Sequence, residues 1–130
     1  MNANSYSSAE ARDRTLWVLT ISPVVWAVHF LLSYGTAAVW CAKYAGPAGS
    51  LWTVRVAILV YTAVALAAIG LTGSYGYAAH RRGAADLPHD DDTPEDRRRF
   101  MGFATFLLSS LSAVAVIYAA LVALFVETCQ

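Results

Sequence analysis

The sequence predicts an all-α integral membrane protein with three transmembrane helices, and three observations carry that prediction. Residues 16–41 and 100–126 run for 26 and 27 positions without an Asp, Glu, Lys or Arg, and a third stretch, 52–79, contains Arg55 alone. As helices these stretches reach about 40 Å at 1.5 Å per residue, enough to cross a bilayer with some tilt. The 130 residues are 58% hydrophobic and only 14% charged, outside the range of soluble domains. The charged residues gather between the apolar stretches and at their edges. A chain of this size suits one compact bundle without a second domain. Its formal net charge of +0 gives no electrostatic reason to expect a nucleic-acid partner.

Residues 1–15 are polar and rich in Ser, Asn and Ala, and are expected to be disordered or to lie on the membrane surface. The first apolar stretch is too long for a signal-peptide core, and nothing after it reads as a cleavage site. Trp40 is too bulky for the position before a lipoprotein cysteine, so an uncleaved protein is expected. Within the first helix Pro23 removes the hydrogen bond to the carbonyl of Leu19 and should bend the backbone. At alternating three- and four-residue spacing come Ser22, Trp26, His29, Ser33, Thr36 and Trp40, which puts nearly all polar and indole groups on one stripe. That stripe is expected to face protein, while Val24, Val25, Val28, Leu31 and Leu32 face lipid.

A short Gly/Pro turn over residues 43–51 suits the link between antiparallel helices. The second helix is expected over 52–79. Its small residues Ala63, Ala67, Gly70 and Ser74 recur at helical spacing, the pattern that lets helix backbones approach closely in lipid. Tyr75 and Tyr77 read as interfacial anchors. Residues 83–99 carry an acidic block and two prolines and read as a solvated loop. His89, Asp90, Asp91 and Asp92 could be imagined around a divalent ion. Without a glycine-containing loop pattern they read as a solvated charge run, and no metal site is expected. The third helix, 100–126, presents Gly102, Thr105, Ser109, Ser112, Val116, Ala119 and Ala123 as another packing seam, followed by a tail at 127–130.

Three helices put residues 1–15 and 83–99 on one side, with 43–51 and 127–130 on the other. The first side carries Arg12, Arg14, Arg81, Arg82, Arg97, Arg98 and Arg99, against Lys43 and Arg55. By the positive-inside rule the N-terminus is expected in the cytoplasm.

His29 is the ionisable side chain set deep in an apolar stretch, where an imidazole is costly and usually has a partner or a task. Counting from the cytoplasmic ends of the two helices that rise from that side, Ser112 and Ser109 are expected at its depth. The plain reading is a neutral imidazole in an interhelical hydrogen bond worth about 1 kcal/mol, part of a seam of His29, Ser109, Ser112, Trp26 and Ser33. The sharper readings are a haem ligand, a proton relay or a quinone contact. His80 is expected roughly 20 Å below His29 by helix rise, so the two do not share one haem within the chain. No cofactor is expected in this chain, and a haem b shared with a partner through His29 is the alternative. Cys41 and Cys129 fall at the outer surface and could form a disulfide there. Arg55 and Glu127 reach the same level, as an ion pair or as two snorkelling groups. The sequence contains no nucleophile–base arrangement, phosphate loop or zinc spacing, so no enzymatic activity is expected of the chain on its own.

The run Ser22-Pro23-x-x-Trp26-x-x-His29-Phe30-x-x-x-Tyr34 resembles the first-helix pattern of small bacterial membrane proteins encoded beside haem-copper terminal oxidases and their assembly factors. The likeness covers about one helix, with the three-helix layout in agreement, and carries over no functional residue. It implies a non-catalytic subunit or accessory protein of a respiratory complex in the bacterial inner membrane, in contact with lipid and with other transmembrane subunits. A looser likeness is to the haem-and-quinone anchor subunits of succinate dehydrogenases. Their haem histidine sits on the second helix, whereas here that helix has no histidine until His80, which makes the anchor an alternative. A further alternative, from another class, is a small oligomeric transporter or channel with His29 as its titrating group.

Overall fold

The computed structural model describes residues 3–45, 50–82, 94–126 and 129, and all of its regular structure is helical. Helix α1 runs Ala3–Trp40 and passes into one π-helical turn, Cys41–Ala45; α2 runs Trp52–Arg82 and α3 Pro94–Phe125. Three segments are long and apolar enough to cross a membrane: Leu16–Tyr44, which runs from α1 into the π-helical turn, Trp52–Arg82 and Asp96–Phe125.

The boundaries follow from local chemistry. Helix α1 continues unbroken through Pro23. The Leu51 carbonyl accepts the first bond of α2 from the Arg55 N–H at 2.9 Å, and just before it the Ser50 hydroxyl accepts from the Trp52 N–H at 3.3 Å. The Trp40 indole donates to the Ser50 carbonyl at 3.3 Å and ties the end of α1 to that start. Helix α3 opens on Pro94, where the missing N–H costs nothing. Two expectations change here. The polar segment 1–15 is helical from Ala3 onward, and the expected 83–99 loop gives way to helix at Pro94. The acidic run with His89, Asp90, Asp91 and Asp92 lies outside the described residues.

Helices α1 and α3 run parallel, paired at Ser22–Ser109 and at Cys41–Cys129, and α2 packs antiparallel against both. The tightest contact joins α2 to α3. A Cβ on Gly76 would sit 2.9 Å from the Gly102 carbonyl oxygen and 2.9 Å from the Thr105 Cβ. One on Gly102 would sit 2.8 Å from the Gly76 carbonyl oxygen. Only glycine permits two backbones this close.

That contact fixes the rotation of α2 and corrects the expected seam. The buried face of α2 is Val54, Ile58, Ala65, Ile69, Gly73 and Gly76. Ala63, Ala67, Gly70 and Ser74 are exposed on the outside instead. On α3 the buried positions are Gly102, Thr105, Ser109, Ser112, Val116 and Ala120, with Ala119 and Ala123 half-buried. Two apolar clusters fill the interior. Leu51, Val54 and Ile58 pack with Ala37, Trp40, Ala123 and the two cysteines at one end. Ala65, Ile69 and Val116 pack with Val25, Leu66 and Ala113 further along. Val25 therefore faces protein rather than lipid. Its neighbours Val24, Val28, Leu31 and Leu32 are exposed.

Candidate functional site

Within the apolar spans, hydroxyl and imidazole groups turn inward and large aliphatic side chains turn outward. Ser22, His29, Ser33, Thr105, Ser109 and Ser112 are all buried, while large apolar side chains such as Leu31, Val64, Leu71 and Leu111 are exposed. This inversion is the arrangement lipid favours, because a polar group facing hydrocarbon has no partner there.

Two interhelical hydrogen bonds set the register. The Ser22 and Ser109 hydroxyls meet at 2.7 Å and join α1 to α3. His29 Nε2 lies 3.0 Å from the Thr62 hydroxyl and joins α1 to α2. Thr62 in turn donates to the Ile58 carbonyl at 2.7 Å. A hydroxyl has one proton, so with respect to His29 the threonine can only accept. The imidazole therefore carries its proton on Nε2, and its Nδ1 is a bare acceptor. That tautomer follows from the network rather than from a visible hydrogen.

His29 thus meets a different partner from the expected serines. Counting seven residues up both α1 and α3 from the Ser22–Ser109 bond places Val116, not Ser112, beside the His29 level. Thr62 was not singled out from the sequence. The available signal is that Tyr61 and Thr62 are the only hydroxyls on α2 between Thr53 and Thr72. Trp26 also departs from the expected seam. It is 39% exposed, on the outer side of the stripe, because the inward line of α1 runs Ser22, Val25, His29, Ser33. Ser33 and Ser112 are buried, but neither bonds to His29.

At one end of the bundle Cys41, in the π turn, and Cys129, beyond α3, form a disulfide across 88 residues. Beside it one Arg55 Nη donates to the Val126 carbonyl at 3.0 Å, covering a carbonyl that the end of α3 leaves open. Glu127, the expected partner of Arg55, lies outside the described residues. At the other end His80 Nδ1 donates to the Arg99 carbonyl at 3.3 Å. Arg81 lies over the Tyr77 ring at 5.8 Å.

His80 follows Thr62 by 18 positions on α2, about 27 Å by helix rise. Among the described residues no group of three or more His, Cys, Asp or Glu side chains could hold a metal ion. The described site offers hydrogen bonding and close packing. Compared with known proteins, the chain matches no family model, no curated protein and no solved structure.

Proposed function

We propose that this chain is a non-catalytic subunit or accessory protein that packs against the transmembrane helices of a larger complex. The observation that carries the reading is the outward small-residue face of α2. Ala63, Ala67, Gly70 and Ser74 are exposed, and a Cβ on Gly70 would meet nothing within 4 Å. In lipid such a face lets a neighbouring helix approach closely, and the chain's own bundle leaves it uncovered. The respiratory assignment, with a terminal oxidase as the complex and the bacterial inner membrane as the location, rests on the first-helix resemblance alone. The seven-to-two distribution of arginine and lysine supports a cytoplasmic end at residues 83–93 and an outer end at the disulfide.

The position of His29 favours this reading over the haem-anchor alternative. The ring is 2% exposed and its Nε2 faces Thr62 inside the bundle, so sharing a haem with a partner would require it to leave that bond and cross to the surface. The transporter alternative gains little from the interior, where Ala65, Ile69 and Val116 form an apolar plug near the His29 level. Purification with native partners in mild detergent tests the proposal. Co-purifying transmembrane subunits are expected, and Gly70→Leu should release them while the bundle stays folded. Recovery of the chain without any partner from its native membrane would count against an accessory role.

A further inference from the structure

Among the described residues, three buried side-chain atoms have no hydrogen-bond partner: His29 Nδ1, Ser33 Oγ and Arg55 Nε. Arg55 is half-buried at the disulfide end and already donates through another nitrogen. The other two are different. His29 is 2% exposed and Ser33 7%, and they stand one helical turn apart on the inward line of α1.

Their chemistry is complementary to a single kind of guest. Nδ1 is a bare acceptor, because Thr62 requires the ring proton on Nε2. The serine hydroxyl offers one proton and two lone pairs. Helical side chains lean toward the N-terminus, so Ser33 leans back over the turn that carries His29. Residues so placed have Cβ atoms about 5–6 Å apart, and one water oxygen bonded over about 2.8 Å to each of two polar atoms spans about 4.5 Å between those atoms. Leaving both groups unpaired would cost about 1–3 kcal/mol each, and hydrocarbon around the bundle would supply no substitute. Neither group is cationic and the bare Nδ1 presents a lone pair, so the site disfavours an anion. A guest without a donor cannot satisfy Nδ1.

We propose that the bundle contains an internal water-binding site between His29 and Ser33, in which one water donates to Nδ1 and shares a hydrogen bond with the serine hydroxyl. The site rests on the bundle being surrounded by lipid, as proposed above, and needs no partner subunit. The full chain labelled with 15N-histidine and placed in phosphatidylcholine–phosphatidylglycerol bilayers tests it by solid-state NMR. The His29 signals are assigned by their loss in His29→Asn. The expected result is a protonated Nε2, an unprotonated Nδ1, and magnetisation transfer from water to Nδ1. In Ser33→Ala that transfer should fall to background while the Nε2 signal stays in place. Absence of water transfer to Nδ1 in the wild-type chain would overturn the site, even if Ser33→Ala failed to fold. So would a Nδ1 coupled directly to the Ser33 hydroxyl proton, or transfer that Ser33→Ala leaves unchanged. A lost partner subunit would alter none of these signals, so failure here is distinguishable from failure of the accessory role.

Discussion

At the scale of single residues, His29 acts as a strut between α1 and α2, and its substitutions should show it. His29→Asn and His29→Gln keep an amide donor for the Thr62 hydroxyl, so the bundle should remain folded with a small loss. His29→Leu removes the donor. Because Thr62 still donates to the Ile58 carbonyl, the threonine keeps one bond, and the cost should stay near the modest value of about 0.6 kcal/mol typical of interhelical hydrogen bonds in bilayers. Reversible unfolding in bicelles would measure both. A loss of several kcal/mol in the amide variants would mean that the imidazole does more than bridge two helices and hold one water. The Ser22–Ser109 bond offers an independent check. A double-mutant cycle with Ser22→Ala and Ser109→Ala should give a coupling of about 0.6 kcal/mol, and zero coupling would remove that bond from the register argument.

At the scale of helices, the two faces of α2 have opposite tolerance. On the inner face Gly76→Ala drives a methyl against the Gly102 carbonyl and the Thr105 side chain. Backbone cannot rotate away as a flexible side chain can, so α2 and α3 must separate, at a cost of about 1–3 kcal/mol for overpacking. On the outer face Gly70→Ala meets open space in a helical backbone and should not lower the melting temperature of the isolated chain. Thermal melts of the two variants in the same detergent check the contrast directly. Equal effects would mean that α2 is rotated away from the seam described.

At the scale of the molecule, the Cys41–Cys129 disulfide closes one end over 88 residues of chain. Replacing both cysteines by serine frees α1 from the end of α3 and should destabilise the bundle by about 2–4 kcal/mol, the usual worth of such a cross-link. Reductant should lower the melting temperature of the wild-type chain and leave that of the double variant unmoved. Quantitative alkylation of both thiols in natively oxidised protein would contradict the bridge. Orientation is testable at the same scale. A reporter fused after Gln130 should report the outer side, and cytoplasmic activity there would reverse the proposed topology.

The number of helices, their approximate spans and the inward stripe of α3 were legible in the chain alone. Stretches such as 100–126 have few other solutions, since backbone polar groups beside apolar side chains are best satisfied within a helix. Gly102, Thr105, Ser109, Ser112 and Val116 stood out because no second stripe on α3 is as small and hydroxylated. On helix α2 the small-residue spacing pointed to Ala63-Ala67-Gly70-Ser74, whereas the face that packs inward carries Gly73 and Gly76. Gly102 decided the rotation, because only opposite another glycine can Gly76 bring two backbones into contact. His29 was conspicuous at once, yet its partner was not. Spacing gives depth along each helix separately, whereas the choice of Thr62 over Ser112 depends on how three helices slide and rotate against one another. Those offsets are set by packing across the bundle, and only the tertiary structure contains them.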